Sequence, residues 1–383
     1  MRIGWTAEQT ARREKFRRFG RDVVAPGSAE RDRGGVFEPA VWKALAAEGF
    51  WGAHVPVADG GEGGSLWDFL AALEGLAHGA DDAGFVLSVV AHAGLIQVLL
   101  DHGTATQRER VVPALLTGAV GATAVTERTG GSHLSSVRTR ATVAGAGRWL
   151  LSGEKCHITN APAADHFLLV GRLDGVGDRD ITLFLVDRDR AGVSTGEPED
   201  LLGQRTSPTG TIHLDQVEIG PDDIVGAPGN GLRTLHTFLA LDRLMYGIAV
   251  AAQLESVLPR VVEHVTTRQA FGTELGNHEF IQDKVVTVRT AIESSRHLAY
   301  AAADALVRGA DDASALASCA KLAASEGVVA AAIELVQTFG HLGYVRSFGV
   351  ERLLRDAVAI RIAGGTTEMQ KKNIYNDVIR RYA

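Results

Sequence analysis

The spacing of apolar residues changes period twice along this chain, and a single layer of one secondary-structure type cannot accommodate both periods. From Thr6 to about Gly118 the spacing is helical. "EPAVWKALAAEGF" sets Val41, Leu45 and Phe50 on one face. "SLWDFLAALEGLAHGA" and "TQRERVVPALLTG" follow in the same style, with Ser65 and Thr106 as expected N-caps. From about Ala119 to Val225 the period shortens to two. "RTRATVAGAGRWLLSGEKCHITN", "DHFLLVGRL", "ITLFLVDRD" and "GTIHLDQVEI" are short runs separated by Gly, Asp and Pro. From Gly229 the helical period returns in long segments. Among them is the Ala-rich "SALASCAKLAASEGVVAAAIELVQTFG", whose small side chains suit close packing. The pattern predicts an α+β protein of three units: a helical domain over 1–118, a β sandwich or barrel over 119–226, and a helical bundle over 227–383.

With 383 residues the chain can bury a core in each unit. A net charge of −7 without a dense basic block argues against general nucleic-acid binding. No apolar run reads as long enough to span a membrane, since even "GVVAAAIELVQTF" is interrupted by Glu334. The charged helical start, "MRIGWTAEQTARREKFRRFG", lacks the apolar core of a signal peptide. Two cysteines, Cys156 and Cys319, argue against a disulfide framework, so a cytoplasmic protein is expected, and no metal site. The loop "VPVADGGEGGS" reads as a surface turn, because no Lys follows it as in a phosphate-binding loop.

Four motifs go further than composition. "AVTERTGGSHLSSVRT" (Ala124 to Thr139), "GEKCHITNAPAAD" (Gly153 to Asp165), "TRQAFG" (Thr267 to Gly272) and "VQTFGHLGY…VERLLRDA" (Val336 to Ala357) occur in that order. Together they closely resemble the acyl-CoA dehydrogenase family of flavoproteins, over essentially the whole chain. The resemblance implies a C-terminal four-helix bundle, FAD held between the last two domains and a neighbouring subunit, and a homotetramer or homodimer. It implies Thr126 at the flavin pyrimidine, Ser132 at the pyrophosphate and Thr159 near flavin N5. His157 stands where the family has an aromatic residue packed on the flavin, and a passive role is expected for it. Arg268 suits a pyrophosphate by its forked guanidinium, with Phe271 packing beside it. Gln337 and Gly340 resemble the turn that contacts the adenosine half, although His341 replaces its second Gly. Thr366 and Glu368 match positions that hold the FAD of the adjoining unit.

The chemistry the family performs needs a carboxylate beside the α carbon of a thioester. In its commonest members that carboxylate is a Glu immediately before the glycine of a C-terminal turn. Here the position is Gly364, in "IAGGTTEM". The isovaleryl and prolyl-carrier-protein types of the family place the base on the first long C-terminal helix instead, one residue before a basic residue. "LALDRLMYG" supplies Asp242 there, followed by Arg243 as a substrate-binding residue, and Asp242 lies 29 residues before Phe271, as in those types. Asp is shorter than Glu by roughly 1.5 Å of reach, so its substrate must sit closer to the helix. The Gly364 N–H would then polarise the thioester carbonyl.

"ITNAPAAD", "LALDRL" and "IAGGTTEMQK" lean toward the carrier-protein branch. The expectation is an FAD-dependent dehydrogenase of an acyl or aminoacyl thioester, tethered to a carrier protein or to CoA, passing its electrons to a separate acceptor. Two other readings are a flavin monooxygenase on the same fold and a catalytically silent flavin- or carrier-binding scaffold.

Overall fold

The computed structural model describes residues 4–383. Six helices open it: α1 (Ala7–Phe19), α2 (Ser28–Gly34), α3 (Pro39–Ala47), α4 (Leu66–Gly79), α5 (Ala83–His102) and α6 (Ala105–Leu116). Ser65 starts α4 as expected, its N–H donating to the Asp68 carboxylate at 2.8 Å. The cap of α6 is Thr104 rather than Thr106. Thr104 Oγ1 accepts from Gln107 N at 3.2 Å, and the Gln107 side chain accepts from Thr104 N at 3.0 Å. A Thr-x-x-Gln pair satisfies two orphan backbone donors at once; Thr106 with Glu109 offers a second box of the same kind, and the helix starts at the earlier one. Tilted and edge-on aromatic contacts, Trp42 on Trp51 at 4.9 Å and Phe16 on Phe50 at 5.0 Å, fill the core of this domain.

The strands are β1 (Gly121–Ala124), β2 (Arg140–Gly145), β3 (Arg148–Thr159), β4 (His166–Leu173), β5 (Ile181–Asp187), β6 (Val193–Thr195), β7 (Thr209–Ile219) and β8 (Ile224–Val225). They form one hydrogen-bonded path, β6-β7-β3-β2-β4-β5-β8, with β1 beside β4, rather than two separately bonded sheets. The β3–β7 register shifts at Leu151/Gly153 and again at Lys155/Ile158. Bulges of this kind bend a strand and re-aim its side chains, and the second one sits beside His157.

The last unit is built on α7 (Gly231–Thr267). The hairpin β9 (Gln269–Ala270) and β10 (Thr273–Glu274) follows it, then α8 (Glu279–Val307), α9 (Ala313–Phe339), α10 (Val350–Ile360) and α11 (Thr367–Tyr382). Helices α7, α8, α9 and α11 make the four-helix bundle, with α10 packed on α9. Buried Ala317, Ala320, Ala324 and Ala331 on α9 let its neighbours approach closely. The membrane expectation needs correcting in one respect. Ala83–His102, Gly231–Thr267 and Ala313–Tyr344 are long and apolar enough to cross a bilayer, since one Glu does not interrupt a helix. Their most apolar windows are instead 78%, 88% and 50% buried inside the fold.

Candidate active site

Asp242 lies in the fourth turn of α7 and is only 5% exposed. Among the described residues its carboxylate makes no hydrogen bond and no ion pair. It faces the turn between α10 and α11. A Cβ placed on Gly364 would lie 2.7 Å from Asp242 Oδ2 and 2.6 Å from Cε2 of Tyr246, one helical turn further along α7. Gly364 also has φ +64° and Gly365 φ +90°. Any side chain at 364 would therefore be strained in its backbone and would collide with the carboxylate. Burial pushes the Asp242 carboxyl up to about 7, against the opposing pull of Arg243 and Lys321. Burial, and then the Asp242 charge, raise the Tyr246 phenol as well.

The carbonyls of the glycine turn are held from two helices. Lys321 Nζ on α9 donates to Gly365 O at 2.7 Å, and Gln370 Nε2 on α11 donates to the same oxygen at 2.8 Å and to Gly364 O at 3.3 Å. The flanks are tied to α9 too, since Arg361 Nε and Thr367 Oγ1 both reach Glu326 Oε1, at 2.9 and 3.0 Å. The Gly364 N–H donates to no group among the described residues. The arrangement is a buried carboxyl tuned to titrate near neutrality, facing a backbone whose carbonyls are occupied and whose N–H is free. Such a pairing can accept a proton and donate to an oxygen that gains charge beside it.

Arg243, expected at the substrate, is turned toward α9. Successive helical residues point about 100° apart, and its guanidinium faces Ser318 Oγ on α9 at 3.5 Å, a hydroxyl that Asn373 on α11 also approaches at 3.4 Å. It is buried between helices and acts on Asp242 through its charge rather than standing beside it at the turn.

Apart from Thr366 and Glu368 at the start of α11, the residues expected to hold FAD fall into two groups. Thr126 and Ser132 follow β1, and His157 and Thr159 end β3. Cys156 N donates to Thr126 O at 3.0 Å, and the buried Lys155–Glu127 pair at 2.7 Å fastens the same loop to β3. Glu127 also accepts from the backbone of Arg138 and Thr139, so the loop is closed around one carboxylate. Within the described residues the hydroxyls of Thr126, Ser132 and Thr159 have no partner. His157, at φ +57° and mostly exposed, has its Nδ1 3.0 Å from both Glu199 oxygens. In the second group, Arg268 and Phe271 flank β9, and Gln337 and Gly340 end α9. A tilted ring contact between His264 and Phe339, 4.7 Å between centroids, brings those two helix ends together. Arg268, Phe271 and Gln337 are exposed, and no hydrogen bond, ion pair or ring contact joins this group to the first. Thr366 caps α11, accepting from Met369 N at 3.4 Å, with Glu368 exposed in the first turn.

Unpartnered hydroxyls on one side and an unpartnered guanidinium on the other suit the pyrimidine and pyrophosphate of FAD. Sequence reasoning missed Lys321, Gln370, Tyr246 and Glu199. Lys321 alone left a trace, because it shares the helical phase of Ala317, Ala324 and Val328, a phase the fold buries.

Family models divide the chain in the same order. The acyl-CoA dehydrogenase N-terminal domain matches residues 6–119, the middle domain 122–217 and the C-terminal domain 229–379. The chain belongs to the acyl-CoA dehydrogenase family. As such it is an FAD-dependent oxidoreductase acting on CH–CH donors. It is 32% identical over 368 residues to an acyl-CoA dehydrogenase of Bacillus subtilis, covering 96% of both chains. It is 29% identical over 340 residues to the L-prolyl-[peptidyl-carrier protein] dehydrogenase of Pseudomonas fluorescens, covering 88% of this chain and 89% of the relative. Among solved structures, the prolyl acyl carrier protein oxidase AnaB superposes with a TM-score of 0.94 at 26% identity, covering 98% of this chain and 100% of AnaB.

Proposed function

We propose that this acyl-CoA dehydrogenase family member desaturates an acyl or aminoacyl thioester carried on the phosphopantetheine arm of a carrier protein, in cytoplasmic natural-product biosynthesis. CoA thioesters present the same reacting atoms and are the alternative carrier. The observation that carries the reading is the meeting of Asp242 with Gly364. The glycine leaves open the space where the usual Glu would stand, and the helix fills it with a carboxylate. The similarity to prolyl-carrier-protein enzymes supports the aminoacyl and carrier-protein part.

Asp242, ionised as the pH rises through about 7, accepts the α proton. Its lack of hydrogen bonds leaves its lone pairs available for that proton. The Gly364 N–H donates to the thioester carbonyl oxygen, where charge develops as the proton leaves. Tyr246 closes the space beside Gly364 and keeps water from the carboxylate. Thr126, Ser132 and Thr159 would hold FAD from the β domain, with Arg268, Phe271, Gln337 and Gly340 contributed by another copy of the chain in a homotetramer or homodimer. FAD, when bound, would supply the hydride acceptor, with a separate electron-transfer partner as the proposed outlet for its electrons.

The test uses Asp242→Asn holoenzyme. It should keep its yellow FAD yet fail to bleach under anaerobic prolyl-carrier protein or butyryl-CoA, whichever bleaches wild type. Intact-mass analysis of the wild-type product should show the loss of two hydrogens from the acyl group. Bleaching of the variant at the wild-type rate removes Asp242 from the mechanism.

A further inference from the structure

The least expected group beside the base is Lys321. It is fully buried, although an ammonium taken out of water is costly without an anion at contact distance. Among the described residues it has no ion pair, and its one hydrogen bond goes to the neutral carbonyl of Gly365. That carbonyl already accepts from Gln370, so satisfying the backbone does not by itself call for a lysine. The turn it touches has no side chain of its own at 364 or 365 to anchor it. We infer that Lys321 is a positioning residue for proton abstraction: it pins Gly365 so that Gly364 stays over Asp242, and it presents its charge to that carboxylate.

The inference rests on the reading of Asp242 as the base. Around Lys321, α7 contributes Asp242 and the repelling Arg243, α9 contributes Glu326, and α11 contributes Glu368. Asp242 is the strongest of these influences, and burial brings the Lys321 amine down to about 8, so it is mostly cationic at neutral pH. Asp242 in turn feels Arg243 and Lys321 as its two cations. With Lys321 charged, Asp242 is ionised at a pH where burial alone would keep it protonated. The pin and the charge are separable functions of one side chain. A neutral donor can supply the first and only a cation the second.

Three variants separate them, and none of the readouts needs the natural substrate. Asp242 is followed in FAD holoenzyme by the infrared carbonyl stretch of its protonated carboxyl, identified as the band absent from Asp242→Asn. The turn is followed by hydrogen exchange of the peptide 361–370, where the Thr367 N–H bonds to Arg361 O at 3.0 Å across the turn. Lys321→Arg should leave both as in wild type. Lys321→Gln should raise the carboxyl midpoint by about one pH unit while leaving exchange slow. Lys321→Met should raise the midpoint and speed exchange about tenfold, the loss of a charge-assisted hydrogen bond. A midpoint unmoved in Lys321→Gln overturns the electrostatic role, and slow exchange in Lys321→Met overturns the pin. If these shifts occur while Asp242→Asn still bleaches with thioester, the coupling stands and the assignment of the base falls.

Discussion

Asp242 stores a conflict between stability and chemistry. A carboxyl whose ordinary value is 3.8 is held at about 7 in the fold by burial. Between those values the native state keeps a proton that the unfolded chain has released, so stability falls as pH rises from about 4 through about 7. The base form the reaction needs appears over the upper end of the same window. Asp242→Asn removes the titration and leaves a neutral side chain of similar shape. Its stability advantage over wild type should grow by about 2 kcal/mol between pH 5.5 and pH 8, from denaturant midpoints at each pH. Asp356, also raised to about 7 by burial, titrates in both proteins and cancels from the comparison. Equal pH dependence of the two proteins would show that Asp242 is not held protonated by the fold. Asp242 and Gly364 were each marked by the family resemblance, one as a carboxylate before a basic residue and the other as a vacancy, and the structure brings them together. Lys321 left only the trace of its phase with Ala317, Ala324 and Val328, and a Lys in an Ala-rich helix reads as a solvated position until the bundle shows that this phase faces inward.

At the scale of elements, the helical and β segments were legible from period alone, while their junctions depended on local chemistry. Thr104 and Thr106 each have a Gln or Glu three residues later, so two capping boxes are open to the chain, and α6 uses the first. Closeness of approach was legible in the Ala-rich α9 but not where single glycines set it. Helix α1 crosses α4 at Gly75 and Gly79, where an added Cβ would lie 2.0 Å from Arg13 O and 2.1 Å from Arg17 O. Both obstacles are backbone atoms of a packed helix, so neither can yield by a rotamer change. Gly75→Ala should therefore force the helices apart and cost about 1–3 kcal/mol, read as a lower urea midpoint. Gly145→Ala at the end of β2, where nothing lies within 4 Å of the new Cβ, is the control and should shift stability by less than about 0.5 kcal/mol. If Gly75→Ala matches the control, the two helices are not in the contact the structure gives them.

For the whole molecule, the question is what covers the bundle. Phe271 is 99% exposed and sits at φ +52°, so it is unfavourable both for its apolar ring in water and for its backbone. Phe280, Leu342, Tyr344, Tyr375 and Tyr382, all in the same C-terminal unit, are also exposed. Arg268 and Gln337, expected at FAD, lie with Phe271 at the helix ends and touch none of the β-domain residues expected at the same cofactor. Both facts have one resolution if a second copy of the chain covers Phe271 and completes the cofactor site. Phe271→Asp then links two measurements that would otherwise be independent. The variant should elute as a smaller species by size exclusion with light scattering, and the same fraction should lose FAD absorbance. A smaller species that retains full FAD would place the cofactor within one chain. An unchanged assembly with unchanged FAD would mean that the Phe271 ring is not at the interface, leaving its strained, exposed conformation to be accounted for by a different partner.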